Sequence, residues 1–144
     1  MQKRNSDKLQ YAIRSFDEAL KYTRSGEFQG LGTEFKGMLI SAVVQNFNLT
    51  FAVCRQMITQ QLTDRLGKEA VESKTAEDIF RAATKEGIIS NLDRWLEYID
   101  CEHLNPSSNL ALRTFEKASA FLEDAGELLN TCAKRSQNER RRAA

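Results

Sequence analysis

One long apolar stretch constrains the fold of this 144-residue chain more than any other feature. Between Thr33 and Leu66, apolar residues recur at helical spacing along two neighbouring stripes, and no proline interrupts them. A helix that is apolar on two flanks contacts several neighbours, so we expect this helix to lie at the centre of a bundle. The two stripes are Ile40, Val44, Phe47, Phe51, Cys54, Ile58 and Leu62, and beside them Leu39, Val43, Val53 and Met57.

Shorter amphipathic segments lie on both sides of this stretch. Residues 7–24 carry one apolar stripe, and Thr75 caps a short predicted helix that ends at Gly87. Ser90 repeats the capping pattern before a second short helix, and a bundle seam follows from about Ser108. The sequence therefore predicts an all-α, antiparallel up-and-down four-helix bundle with an additional short helix. The predicted seam is Ala111, Phe115, Ala118, Leu122, Ala125, Leu129 and Cys132.

Composition and charge narrow the class of protein further. One proline and seven glycines favour helices, and the length suits one domain, ordered over about residues 7–133 with a basic tail at 134–144. The net charge of +1 creates no global field toward nucleic acid or an anionic membrane, and we expect neither as a partner. The apolar runs are also too short to predict a membrane span. Three widely spaced cysteines and no recognisable signal peptide predict reduced thiols in a cytoplasm.

Motifs for independent catalysis are missing from the sequence. The densest group of reactive side chains is Cys101-Glu102-His103, but neighbouring helical residues point about 100° apart and do not converge on one ion. The sequence contains no nucleophile elbow, no phosphate-binding loop and no D-x-D pair that could hold two metal ions. We therefore predict no catalytic residue, no metal and no cofactor on this chain.

Two segments match a known family pattern. Gln45 to Phe51, Q-N-F-N-L-T-F, resembles the family segment Q-R-F-E-Y-T-F, and Phe80 to Ile89 followed by Trp95-Leu96 resembles I-R-E-A-F-K-A-G-L-I and W-L. The chain thus resembles the nucleotidyltransferase substrate-binding protein family of HEPN-like bundles, from about Leu9 to Leu129. The resemblance implies a bundle that dimerises and pairs with a separately encoded minimal nucleotidyltransferase. That partner would hold the metal and the catalytic acids.

The chain departs from the related HEPN ribonucleases at their signature, R-N-x-x-x-H. Alignment on the shared pattern places Glu102 at the arginine, His103 at the asparagine and Ser107 at the histidine. The ribonuclease signature is therefore absent. In addition, an acid at the arginine position repels a scissile phosphate at short range. On the long helix, the family's E-x-x-W-K is replaced in part by Ala52, Arg55 and Gln56.

These observations favour a non-catalytic binding subunit with a groove along the long helix and the end of the second short helix. A nucleotide is the candidate ligand, and the surplus apolar flank of the long helix favours a homodimer. One alternative is a toxin-like ribonuclease with His103 as general base beside Glu102, and another is a structural interaction module that binds no small molecule. The candidate binding residues are Asn46, Thr50, Arg55, Arg81, Arg94, Glu102 and His103.

Overall fold

The computed structural model describes residues 2–102 and 108–143, and the side chains of residues 5–101, 116–134 and 141. The described part of the chain is entirely helix and connecting turns, and the predicted all-α class is confirmed. The elements are α1 (Gln2–Thr23), α2 (Gly26–Gln29), α3 (Thr33–Leu66), α4 (Lys68–Glu72), α5 (Ala76–Lys85), α6 (Leu92–Glu102) and α7 (Ser108–Ala143).

Four of these helices, α1, α3, α6 and α7, form the bundle. Ala12 of α1 lies beside Thr50 of α3, and the Phe16 ring lies 6.2 Å from the Phe47 ring, so residue numbers rise along one helix as they fall along the other. Pairs between α1 and α7 and between α6 and α7 follow the same antiparallel order. The predicted up-and-down four-helix bundle is confirmed.

The additional short helix of the prediction is α5. The one-turn helices α2 and α4 were not predicted, because each lies where glycines indicate a loop. In α2, the Ser25 hydroxyl accepts a hydrogen bond from the Phe28 backbone N–H at 3.3 Å. Between α3 and α4, Gly67 has a φ of 89°, which a residue with a side chain rarely adopts, so the long helix ends there.

An aromatic core joins five helices at the centre of the bundle. Its rings contact one another in stacked, tilted and edge-to-face pairs, for example Phe47 with Phe121 at 4.7 Å and Phe80 with Trp95 at 5.7 Å. Trp95 is 1% exposed and lies within this core. The members of the aromatic core are Phe16, Phe47, Phe51, Phe80, Trp95, Tyr98 and Phe121.

The long helix α3 begins at Thr33 and ends at Leu66, as predicted. It packs against α1, α4, α5 and α7, which confirms its expected central position. Its length and composition would also suffice for a membrane span, a criterion that the central helix of a bundle can meet as well. Part of its surface is nevertheless apolar and open, because Phe35, Met38 and Leu49 are each at least 60% exposed.

The last helix differs from its predicted register and length. Ala118, Ala125 and Cys132 of the predicted seam are buried, but Leu122 and Leu129 are only partly buried, and Phe121, Asp124 and Leu128 are buried instead. The side chains of the predicted Ala111 and Phe115 lie outside the described residues. Both series alternate steps of three and four, but the observed one buries the large Phe121 ring. The backbone of α7 also continues to Ala143, so most of the predicted basic tail is helical.

The helix ends around α5 and α6 were predicted only in part. The Thr75 hydroxyl accepts the Asp78 backbone N–H at 3.2 Å, as its capping pattern predicts. Gly87 has a φ of 73° and ends α5, also as predicted. Ser90, however, lies outside α6, and its hydroxyl donates to Glu127 Oε1 at 2.8 Å. The residue that precedes α6 is Asn91, whose φ is 60°.

Candidate functional site

An open cleft of about 540 Å³ lies between the first turns of α1 and the second half of α3. We call it the α1–α3 cleft. Two basic residues line it, Lys8 from α1 and Arg55 from α3. The rest of its lining consists of amide and hydroxyl side chains, with no carboxylate among the described lining residues. These are Asn5, Gln56, Thr59, Gln60 and Thr63.

The two basic residues of the cleft differ in burial and in their contacts with the core. Arg55 is half-buried, and its guanidinium carbon lies 5.6 Å from the centre of the Phe51 ring, so the aromatic core holds it in place. Lys8 is exposed, and it forms no ion pair with the side chains that the structure describes. The cleft therefore combines one positioned cation with one adaptable cation.

A basic segment, the C-terminal extension of α7, begins beside the cleft. Cys132 of α7 faces Asn5 and Ser6 of α1 across a small cavity, and α7 continues from there past the start of α1. The described side chains of this extension, Lys134 and Arg141, are exposed. Its residues carry a clear excess of positive charge, because the bases Lys134, Arg135, Arg140, Arg141 and Arg142 accompany the one acid Glu139.

The first two predicted binding residues make contacts within the bundle. The Asn46 amide donates to the Ala42 carbonyl at 2.9 Å, one turn earlier in the same helix. The Thr50 hydroxyl donates to the Asn46 carbonyl at 2.7 Å and lies 3.3 Å from the Ala12 carbonyl of α1. Thr50 is fully buried, so a ligand could reach it only if α1 moved. Neither residue lines the α1–α3 cleft.

The remaining predicted residues are spread over the bundle. Arg81 is exposed on α5, and Arg94 lies in the first turn of α6, where it pairs with Asp124. Glu102 is the last residue of α6, and His103 lies outside the described residues. Among the predicted residues whose side chains are described, Arg55 alone lines the cleft, and the structure does not bring the set together.

A buried carboxylate links α6 to α7. Asp124 is 2% exposed, and it accepts hydrogen bonds from Arg94 and, at 2.6 Å, from the Tyr98 hydroxyl. The Asn91 amide lies 3.5 Å from the same carboxylate. Burial and the hydrogen bond to Asp124 raise the pKa of Tyr98, and the hydrogen bond to Asp124 raises the pKa of Arg94. Arg94 is thus a charged partner of Asp124 at the start of α6.

The cysteines are buried thiols within the bundle. Burial, with a smaller effect of Cys132, raises the pKa of Cys54. Burial also raises the pKa of Cys132, to about 11. Since the thiolate is the nucleophile, both thiols are unreactive at neutral pH. Across the described residues, histidines, cysteines and acids do not gather into a group that could hold a metal ion.

The sequence alone did not predict most of the cleft, because the only local sign of it is that the exposed face of α3 changes from apolar to polar along the helix. In the first half of α3, the exposed residues include Phe35, Met38 and Leu49. In the second half, polar residues recur every three or four positions on the solvent side. Such a polar face is usual for solvated helices, so only its pairing with Asn5 and Lys8 across the groove distinguishes it.

The comparisons with known proteins agree in fold and family. Residues 4–134 match the family model described as nucleotidyltransferase substrate binding protein like. The structure of HI0074 from Haemophilus influenzae, described as the fold of a substrate binding domain of a nucleotidyltransferase, superposes with a TM-score of 0.83. The match covers 89% of this chain and 98% of that one, at 19% identity, and supports the fold.

A search by sequence also finds a similar curated protein from Haemophilus influenzae. It is named a probable ribonuclease HepT, and it is 23% identical over 103 residues, which span 69% of this chain and 70% of that protein. The family model covers nearly the whole chain, and the resemblance seen in the sequence is confirmed. The chain belongs to the nucleotidyltransferase substrate-binding protein family.

Proposed function

We propose that this chain is the non-catalytic, substrate-binding subunit of a two-component nucleotidyltransferase whose catalytic subunit is a separate chain. The observation that carries the proposal is the structural similarity to HI0074, a domain described as substrate binding in a nucleotidyltransferase. The match covers 98% of that domain. The missing D-x-D pair agrees with a catalytic site on another chain. The buried, reduced thiols fit a cytoplasmic location for this pair.

Co-expression with the minimal nucleotidyltransferases encoded in the same genome tests this assignment. We expect one of them to form a stable complex, whose mass in solution is that of both chains together. Nucleotidyl transfer should require both chains, since the catalytic acids and the metal belong to the partner. Transfer by this chain alone, or the failure of every such partner to bind, would contradict the proposal.

A ribonuclease is the second candidate, because one relative carries that name. The sequence speaks against it, since Glu102 stands where the ribonucleases have arginine, and negative charge there opposes a bound phosphate. We expect the purified chain to leave RNA intact. Cleavage that disappears in His103→Ala, with the fold retained, would establish the ribonuclease instead.

We also propose that a second copy of the chain binds to the open face of α3. We call this the uncharged face; it consists of Phe35, Met38, Ala42, Gln45, Leu49 and Ala52. Apolar patches of this kind on a soluble domain mark interaction sites. Because the face contains no ionisable group, two copies meet around a twofold axis without like charges opposing each other. The separate partner chain would then bind elsewhere on the bundle.

The mass of the isolated chain in solution tests the homodimer. We expect a dimer at micromolar concentration, and we expect Leu49→Glu to give a monomer, because it places a charge in a desolvated contact. Leu66→Glu is the matched control, since Leu66 is 41% exposed on the same helix but lies beyond the uncharged face. It should leave the dimer intact. A monomeric wild-type chain, or equal loss of the dimer in both variants, would contradict the interface.

A further inference from the structure

Charge is distributed unevenly between the bundle and the end of α7. Residues 1–133 contain 16 bases and 19 acids, whereas residues 134–143 contain five bases and one acid. We call residues 134–143 the basic extension. The expectation that nucleic acid is not a partner rests on the net charge of the whole chain, and that average conceals this separation. A local field toward polyanions therefore exists at one end of the molecule.

The basic extension continues a helix that the bundle holds in place. Cys132 of α7 faces Asn5 of α1 across a small cavity, so the two antiparallel helices lie side by side at this level. α1 begins at Gln2, whereas α7 runs on to Ala143. At about 1.5 Å of rise per residue, α7 extends roughly 12 Å beyond the start of α1. The extension is thus presented at the end of the bundle on a helical backbone.

The bases of the extension recur along the helix. Lys134 and Arg141 are exposed, and their spacing of about two helical turns places them on one side. Arg135 and Arg142 have the same spacing, and the backbone places these positions on a neighbouring row about 100° around the axis. The helix dipole favours cations only near the last turn, so it does not account for Lys134 and Arg135. Two rows of bases are more than the helix itself requires.

This pattern matches the phosphates of a nucleic-acid duplex. A duplex carries one negative charge about every 1.7 Å along its axis, and a protein that neutralises phosphates gains affinity from the release of counterions. Single strands are bound largely by aromatic side chains that stack on bases, and residues 134–143 contain no aromatic residue. The major groove of B-form DNA, about 12 Å wide, admits an α-helix, whereas that of A-form RNA is too narrow.

We propose that the basic extension binds double-stranded DNA through its phosphates, with the end of α7 in the major groove. Acids outnumber bases in the rest of the bundle, so the contacts are confined to the extension. Phosphate contacts carry no sequence information, and the binding is therefore independent of base sequence. The inference goes beyond the proposed function and does not rest on it, because the isolated chain binds DNA without the catalytic subunit.

Fluorescence anisotropy of a labelled DNA duplex of about 20 base pairs, titrated with the full chain, tests the proposal. We expect a Kd on the order of micromolar at low salt, and a slope of about −4 when the logarithm of the association constant is plotted against that of the salt concentration. Replacement of Arg140, Arg141 and Arg142 by glutamine should weaken binding about tenfold or more and make the slope less negative by about 3.

The matched control removes three exposed bases from α1 and α5. Arg14→Gln with Arg81→Gln and Lys85→Gln changes the net charge by the same amount, and it should bind DNA as the wild type does. The circular dichroism of both variants should equal that of the wild type, since all six positions lie outside the core. Equal weakening in the two variants would show that net charge alone drives binding and would overturn the proposal.

Other polyanions separate duplex DNA from its alternatives. Duplex RNA and single-stranded DNA of the same length should bind several-fold more weakly, because the first has no groove for the helix and the second needs aromatic partners. No binding of duplex DNA at low salt would overturn the proposal. Tighter binding of duplex RNA, single-stranded DNA or phosphatidylserine vesicles would overturn it as well.

Discussion

Replacement of Phe121 by alanine is expected to lower the free energy of unfolding by about 3–5 kcal/mol. The Phe121 side chain is fully buried, and its ring lies within 6.4 Å of rings from α1, α3 and α6. Its removal takes away apolar burial and leaves a cavity that the surrounding rings cannot fill by small movements. Chemical denaturation of the wild type and of Phe121→Ala measures the loss.

The neighbouring Leu122 provides the matched control. Its side chain is only partly buried against the core, so Leu122→Ala should cost about 1–2 kcal/mol. The comparison also tests the rotation of α7, because the sequence alone favours Leu122 as the seam residue. A larger loss from Leu122→Ala than from Phe121→Ala would show that α7 turns its other side to the core.

The second large effect is expected at Asp124. Asp124→Ala should lower the free energy of unfolding by about 3 kcal/mol, because it leaves the buried Tyr98 hydroxyl and the Arg94 charge without their acceptor. This value lies at the low end for broken buried pairs, since the Arg94 side chain is 35% exposed and can regain water. Tyr98→Phe, which removes one hydrogen bond, should cost about 1 kcal/mol.

Glu127 is the control for Asp124, because it is an acid one turn further along α7 that bonds the exposed Ser90. Glu127→Ala should change stability by no more than about 0.5 kcal/mol. A double-mutant cycle between Tyr98→Phe and Asp124→Ala then measures the coupling of the two groups. Equal losses from Glu127→Ala and Asp124→Ala would contradict a buried, paired Asp124.

The parts of the fold that were predictable depend on patterns within one helix. The bounds of α3, the all-α class and the Thr75 cap follow from periodicity and local hydrogen bonding. The register of α7 was ambiguous because Phe121 and Leu122 fit equally regular series. Which of them faces inward depends on the rings that α1, α3 and α6 supply, and this is tertiary information.

The candidate site was less predictable for the same reason. Arg55 was identified, but its partner across the cleft, Lys8, lies on another helix and has no special local pattern. No sequence pattern distinguishes Asp124 from a surface acid, since an isolated acid beside apolar residues is ordinary on an amphipathic helix. Only the packing of α6 against α7 turns that acid into the partner of Arg94 and Tyr98.

The position of Phe121 has a consequence for how the protein is made in the cell. The ribosome synthesises α1, α3, α5 and α6 before α7, so the other six residues of the aromatic core are made before Phe121, the ring that completes it. Until α7 follows, the nascent chain exposes an aromatic surface of the kind that chaperones recognise. Translation that stalls before residue 121 would leave an aggregation-prone intermediate. Rapid synthesis of the last helix therefore protects the nascent chain from aggregation.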